Sequence, residues 1–213
     1  MSGTLPSSFA SINLKKLALQ GNTFSGRIPL ALFSTNEQLD FINISYNQLD
    51  GPILPDVIAG LPMLVELYLD NNRFSEMSNT TLAYFMSHPS LRRLTFHSNR
   101  ITTKDLFNVN VAGNIATSKM VVLSGFNNYI RGQISNSLVQ LKTLKSLFVH
   151  DNMLSCPLPQ EASALDSSKS NIVLGNAFDG PVPDLLYISD GVRDQKLLFV
   201  SDNFFSNLYV LTK

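Results

Sequence analysis

The chain of 213 residues has no tryptophan, a single cysteine, Cys156, and charge on only 15% of its side chains. One cysteine cannot form an internal disulfide, so buried apolar surface must hold the fold. The chain therefore reads either as intracellular or as part of a secreted protein whose paired cysteines lie elsewhere. Basic and acidic residues balance at 16 each, which argues against nucleic acid as a partner, because phosphate binding needs a basic excess. The longest apolar runs, such as Met120-Val121-Val122-Leu123 and Leu197-Leu198-Phe199-Val200, fall far short of the ~18 residues that span a bilayer. No membrane segment is expected. The start, Met1-Ser2-Gly3-Thr4-Leu5-Pro6, lacks the basic and apolar stretches of a signal peptide. Three histidines and one cysteine at no ligand spacing offer no metal site. Neither a phosphate-binding glycine loop nor G-x-S-x-G occurs, so no cofactor and no enzyme activity are expected.

What the chain does have is asparagine, 20 residues of it, and eight recur in a fixed context: Asn22, Asn47, Asn72, Asn99, Asn128, Asn152, Asn176 and Asn203. Successive separations are 25, 25, 27, 29, 24, 24 and 27 residues. Such self-similarity marks a stack of equivalent units. Leu14-x-x-Leu17-x-Leu19-x-x-Asn22-x-Phe24 returns as Leu39-x-x-Ile42-x-Ile44-x-x-Asn47-x-Leu49 and Leu64-x-x-Leu67-x-Leu69-x-x-Asn72-x-Phe74. It continues as Leu91-x-x-Leu94-x-Phe96-x-x-Asn99-x-Ile101 and, after a weak copy, as Leu144-x-x-Leu147-x-Val149-x-x-Asn152-x-Leu154. A tail follows the asparagine: Gly26-Arg27-Ile28-Pro29, then Gly51-Pro52-Ile53, Gly132-Gln133-Ile134 and Gly180-Pro181-Val182-Pro183.

Alternate side chains of a strand face opposite sides, so the leucines point inward and the intervening residues outward. One unit cannot bury its own leucines, and stacking joins the short strands into a parallel sheet. The asparagine amide both donates and accepts, which suits it to backbone groups stranded by the turn. Gly and Pro after it favour an irregular, extended return along the outer face. Eight strands ~4.8 Å apart make a ridge roughly 35–40 Å long, a surface for a partner and not a sealed pocket.

The pattern resembles the leucine-rich repeat, in the plant-type version L-x-x-L-x-L-x-x-N-x-L/F-x-G-x-I-P carried by receptor-like kinases, receptor-like proteins and polygalacturonase-inhibiting proteins. The resemblance runs from Gly3 to about Phe205. It implies an α/β solenoid: a horseshoe of about eight repeats over residues 1–213, with a parallel β-sheet on the concave face and mostly loop and short helical turns on the convex side. It also implies a non-catalytic recognition module at the cell surface or outside the cell, binding a protein, peptide or oligosaccharide. An enzyme-inhibiting or cell-wall scaffold, or an intracellular adaptor, is the alternative. Plant-type ends usually carry cysteine-paired caps, and Ser206 to Lys213 is too short to be one, so the chain reads as an excerpt of a longer protein.

The outward strand positions define the candidate surface. Aromatics facing water mark interfaces, and Phe41, Tyr46, Tyr68, Phe126, Phe148 and Phe199 stand there, interleaved with Glu66, Asp70, Arg93 and His97. From these the expected ligand-binding set is Phe41, Tyr46, Glu66, Tyr68, Asp70, Arg93, His97 and Phe148. Ser98, His97 and Asp70, or His150 with Asp151, could be imagined as a hydrolytic group, but all three histidines, His88 included, read as surface residues. Asn79-Thr80-Thr81 and Asn43-Ile44-Ser45 fit the glycosylation sequon. Of the two, Asn79 is the better acceptor, because a glycan on Asn43 would stand on the inner face. Cys156 reads as a small, half-buried thiol. Two irregularities remain: Gly125 takes an inward leucine position, and Leu106-x-x-Val109-x-Val111-x-x-Asn114 repeats the motif at half spacing. The latter reads as an outer-face strand or loop, with an extra short repeat as the rival reading.

Overall fold

The computed structural model of the chain describes residues 1–7, 13–29, 36–109, 117–159, 170–172, 175–180, 198–199 and 203–204. In chain order the strands are β1 (Ser2–Thr4), β2 (Lys16–Ala18), β3 (Thr23–Gly26), β4 (Phe41–Asn43), β5 (Gln48–Pro52), β6 (Glu66–Tyr68) and β7 (Arg73–Glu76). They continue as β8 (Arg93–Thr95), β9 (Val122–Ser124), β10 (Arg131–Gly132), β11 (Ser146–Phe148), β12 (Met153–Leu154), β13 (Ser170–Ile172) and β14 (Leu198–Phe199). Eight of them form one sheet in the order β14-β13-β11-β9-β8-β6-β4-β2. Every described pairing in it is parallel, as successive coils of one solenoid require. The expected horseshoe architecture is observed.

The inward column stacks in register. Leu17 pairs with Ile42, Ile42 with Leu67, Leu67 with Leu94, Leu94 with Leu123, and Leu123 with Leu147. All six are buried in one continuous core that runs along the coils.

The asparagines close each coil onto the one before. Oδ1 of Asn47, Asn72, Asn99, Asn128 and Asn152 accepts a hydrogen bond at 3.0–3.1 Å from the N–H of Phe24, Leu49, Phe74, Ile101 and Ile130 respectively. The amide of Asn72 donates to the Ile44 carbonyl of the previous coil and to Leu69 and Asp70 of its own. Asn152 repeats this with Gly125, Val149 and His150. Buried backbone groups must be paired, and one carboxamide satisfies four of them. The residue before each asparagine from Asn22 to Asn176 turns the chain inward through the left-handed region: Gly21, Tyr46, Asn71, Ser98, Asn127, Asp151 and Gly175 have φ between 51° and 70°. Gly, Asn and Asp tolerate that region, and Tyr46 is the bulky exception.

Beyond the asparagines the structure is more regular than an irregular return. A second parallel sheet, β1-β3-β5-β7, and the pair β10-β12 run beside the first. The convex side carries helix α1 (Asn79–Met86), helix α2 (Asn136–Val139) and a 3-10 turn at Pro55–Val57. Ser78 caps α1 through Oγ and the Thr81 N–H at 3.0 Å, and Ser135 caps α2 in the same way through Leu138.

Two expectations are corrected and one is narrowed. Of the outer-face strand or loop, residues 105–107 form a turn, with Leu106, Phe107 and Val109 buried; Val111 and Asn114 lie outside the described residues. Phe107 stands 6.4 Å from Phe96, ring centre to ring centre. A Cβ on Gly125 would come within 2.5 Å of the Phe96 ring and 3.1 Å of Phe107. The two rings therefore occupy the room of the missing leucine, and the longer coil supplies one of them. His88 is not a surface residue. It is buried, its Nε2 lies 3.0 Å from the Leu61 carbonyl, and its Nδ1 accepts from the N–H groups of Ser90 and Leu91. That arrangement defines a neutral ring, and burial pushes its pKa down. Cys156 is exposed, in the left-handed region, because the chain turns there just past β12.

Candidate binding surface on the eight-stranded sheet

Outward side chains line up in columns across the strands because the pairing is in register. Lys16, Phe41, Glu66, Arg93, Val122 and Ser146 form one column. Asn43, Tyr68, Thr95, Ser124 and Phe148 form the next. A third, just past the strand ends, holds Asp70, His97, Phe126 and His150, one from each successive coil.

The first half of this face is a cluster of paired side chains. Lys16 Nζ lies 5.9 Å from the centre of the Phe41 ring, and the Phe41 and Tyr68 rings are 5.6 Å apart at 49°. Tyr68 donates its hydroxyl proton to Glu66 Oε2 at 2.6 Å. Burial first, and then that hydrogen bond, push the Tyr68 pKa up to about 12. A shallow groove of about 360 Å³ between Lys16, Asp40, Phe41, Val65 and Glu66 lies alongside. Arg93 stands next to Glu66 in register.

The second half is a stack of rings. His97 and Phe126 lie 4.1 Å apart at 8°, and Phe126 and His150 lie 4.2 Å apart at 12°. A carboxylate stands at either end: Asp70 Oδ2 is 3.6 Å from His97 Nε2, and Asp151 Oδ2 is 4.0 Å from His150 Nε2. Burial pushes both imidazoles below their ordinary pKa. Asp70 pulls His97 back up while His150 opposes it, and Asp151 pulls His150 up.

The sequence-derived set divides on this geometry. Phe41, Glu66, Tyr68, Arg93, His97 and Phe148 lie half-buried on the sheet face. Asp70 does not face water: it is 6% exposed and accepts hydrogen bonds from Thr95 Oγ1 at 2.5 Å and Asn71 Nδ2 at 3.1 Å. Tyr46 is exposed, but it sits in the turn past β4 and not on the sheet. The side chain of Phe199 lies outside what the structure describes. His150 and Phe126, which complete the ring stack, were both left out of the binding set. The signal that finds both is their shared offset, two residues before the asparagine, with His97 between Asp70 and Phe126. The structure does bring Ser98, His97 and Asp70 together, with Ser98 Oγ 3.3 Å from His97 Nδ1. The imidazole–carboxylate gap of 3.6 Å is longer than a hydrogen bond, so these contacts orient a ring and do not form a proton relay. Asn79 is the first residue of α1 and half-buried; Asn43 Oδ1 accepts from the backbone and hydroxyl of Ser45. No helix among the described residues is long and apolar enough to cross a membrane.

Repeat, register and asparagine ladder define the class of fold: a leucine-rich repeat solenoid. The leucine-rich repeat family model matches residues 12–74. Prolargin of Rattus norvegicus is 25% identical over 205 residues, an alignment covering 83% of this chain and 49% of prolargin. Among solved structures, the leucine-rich repeat ectodomain of the Arabidopsis receptor kinase HAESA, in complex with an IDA peptide hormone, is 25% identical with a TM-score of 0.76. That likeness covers 96% of this chain and 36% of the ectodomain. A plant ice-binding protein is also 25% identical, with a TM-score of 0.73 over 96% of this chain and 62% of its own. The chain thus spans about half the length of prolargin and about a third of the receptor ectodomain.

Proposed function

We propose that this array is a non-catalytic recognition module, working outside the cell or at its surface, that takes an extended protein or peptide segment along the eight-stranded face. The observation that carries the reading is the row of half-exposed rings and charges, Phe41, Tyr68, Glu66 and Arg93 followed by His97, Phe126 and His150, set on a rigid sheet. Aromatic and arginine side chains give the largest contact energies at such surfaces, and a rigid scaffold spares the cost of ordering them. The HAESA ectodomain, of similar fold, is in complex with a peptide hormone.

The test is a selection of displayed random peptides on the folded chain, followed by affinity measurements with Tyr68→Ala and Arg93→Ala. Loss of about tenfold or more in either variant, with unfolding temperature nearly unchanged, supports the assignment. Selected peptides that bind both variants as well as the parent overturn it. Enrichment on a glycan panel, with no peptide selected, would turn the reading to an oligosaccharide ligand. On this reading Asn79, at the start of a convex helix, is the sequon free to carry a glycan, whereas one on Asn43 would cover the binding face. Expression through a secretory pathway, with Asn79→Gln removing a glycosidase-sensitive mass, tests that assignment; a mass unchanged by Asn79→Gln sinks it.

A further inference from the structure

Around the ring stack, acidic and basic groups differ in what they have left to offer. Asp70 is buried and already accepts from Thr95 and Asn71, and Glu66 accepts from Tyr68. Arg93, with Arg92 at the entry of the same strand, and Lys145 at the entry of β11 make no ion pair within 4.0 Å among the described residues. The β9 coil between them contributes no titratable side chain to the face, only Val122, Ser124 and Phe126. Among the described residues at the rim, Asp151 is the exposed carboxylate, 61% accessible. Uncommitted charge here is therefore mostly positive, and two imidazoles stand ready to add to it.

Spacing narrows the occupant. Two ring separations of 4.1 and 4.2 Å put the imidazoles roughly 8 Å apart. Side chains on one face of an extended segment recur about every 6.6 Å, so two alternate residues of such a segment reach both rings.

We propose that the stack of His97, Phe126 and His150, with Arg93 and Lys145 at the opposite ends of β8 and β11, is a docking strip for an aspartate- or glutamate-rich segment of the partner, and that acid strengthens the docking. The proposal rests on the sheet face being the binding face. Both imidazoles sit below their ordinary pKa, largely through burial, so the strip carries little imidazolium charge at pH 7. Protonation sets a cation on each side of the Phe126 ring, an arrangement its π face favours. A carboxylate-bearing segment favours the charged imidazoles, so by linkage its affinity rises as pH falls below the usual histidine value.

The experiment uses the whole chain and a capped hexa-aspartate peptide, with capped hexaglutamine and hexalysine as controls, at about pH 7.5 and 5.5. Aspartate stays ionised at both. The expected result is affinity for hexa-aspartate about tenfold or more tighter at the lower pH. His97→Gln/His150→Gln should abolish that gain, and neither control peptide should show it. Imidazole NMR titration of the parent gives a readout that does not depend on a variant folding. Bound hexa-aspartate should raise the pKa of His97 and His150 and leave the buried His88, away from this face, unmoved. Equal affinity at the two pH values, a gain that survives the double substitution, or a shift shared by His88 overturns the proposal. Binding at pH 7.5 that is lost in Arg93→Ala but shows no acid gain would end the imidazole strip while keeping the sheet as the binding face. Failure of hexa-aspartate at both pH values ends the acidic-segment proposal alone, because the displayed-peptide selection judges the face independently.

Discussion

The two halves of the sheet face share one backbone and differ in how their side chains are satisfied. On the coils of β2, β4 and β6, Lys16, Phe41, Tyr68 and Glu66 answer one another through a cation over a ring, a tilted ring pair and a hydroxyl–carboxylate hydrogen bond. On the coils of β8, β9 and β11, His97, Phe126 and His150 meet face to face, and the carboxylates touch only the ends of the stack. The first arrangement is closed electrostatically and changes little near neutral pH. The second holds two imidazoles that burial keeps below their ordinary pKa, so its charge changes as pH falls. The comparison teaches that a repeat sets where side chains stand, while their identity sets how a region responds to its surroundings.

The strongest test concerns what the halves have in common. Asn72→Ala and Asn152→Ala each leave a buried N–H, of Leu49 or Ile130, without its acceptor. Both should cost on the order of 3 kcal/mol in denaturant unfolding. Unequal costs would show that the halves are not built on equivalent coils.

Phe126→Ala should cost about 1–3 kcal/mol by removing two ring contacts. It should also bring the His97 and His150 titrations closer to the ordinary histidine value, because the ring that buries them is gone; NMR reads both. Next in size is the acid response. His88, His97 and His150 all titrate below the ordinary 6.5 when folded, so the unfolded chain takes up protons first. Stability should be fully present above about pH 6.5 and decline as pH falls toward the folded values. Replacing His97 and His150 with glutamine should leave only the His88 part of that decline. Tyr68→Phe removes one hydrogen bond and should cost about 0.5–1 kcal/mol, with no change in the slope against pH. Lys16→Ala, at an exposed position, should leave the midpoint of unfolding where it is.

Leu17, Ile42, Leu67 and Leu94 could be aligned from the sequence because the inward column and its asparagines repeat within a short, local pattern. Gly125 looked like a defect in that pattern for the same reason. Its compensation by Phe96 and Phe107 brings together residues of adjacent coils whose lengths differ, and no local period encodes it. Asp70 and His88 were misplaced on similar grounds. Each is buried by a neighbouring coil, Asp70 under Thr95 and His88 against Leu61. The candidate surface was partly legible: its columns follow from the strand offsets, whereas the stacking of His97, Phe126 and His150 depends on ring orientation.

By itself the sequence determined the solenoid, the eight strands of its main sheet and the side of that sheet taken by the residues within those strands, because alternation along a strand and the carboxamide's need to pair act within one unit. Only the tertiary structure decided the second sheet, the burial of Asp70 and His88, and the three-ring stack. Those depend on how far one coil is displaced against the next, a distance set by packing across coils and not by any residue's neighbours in the chain.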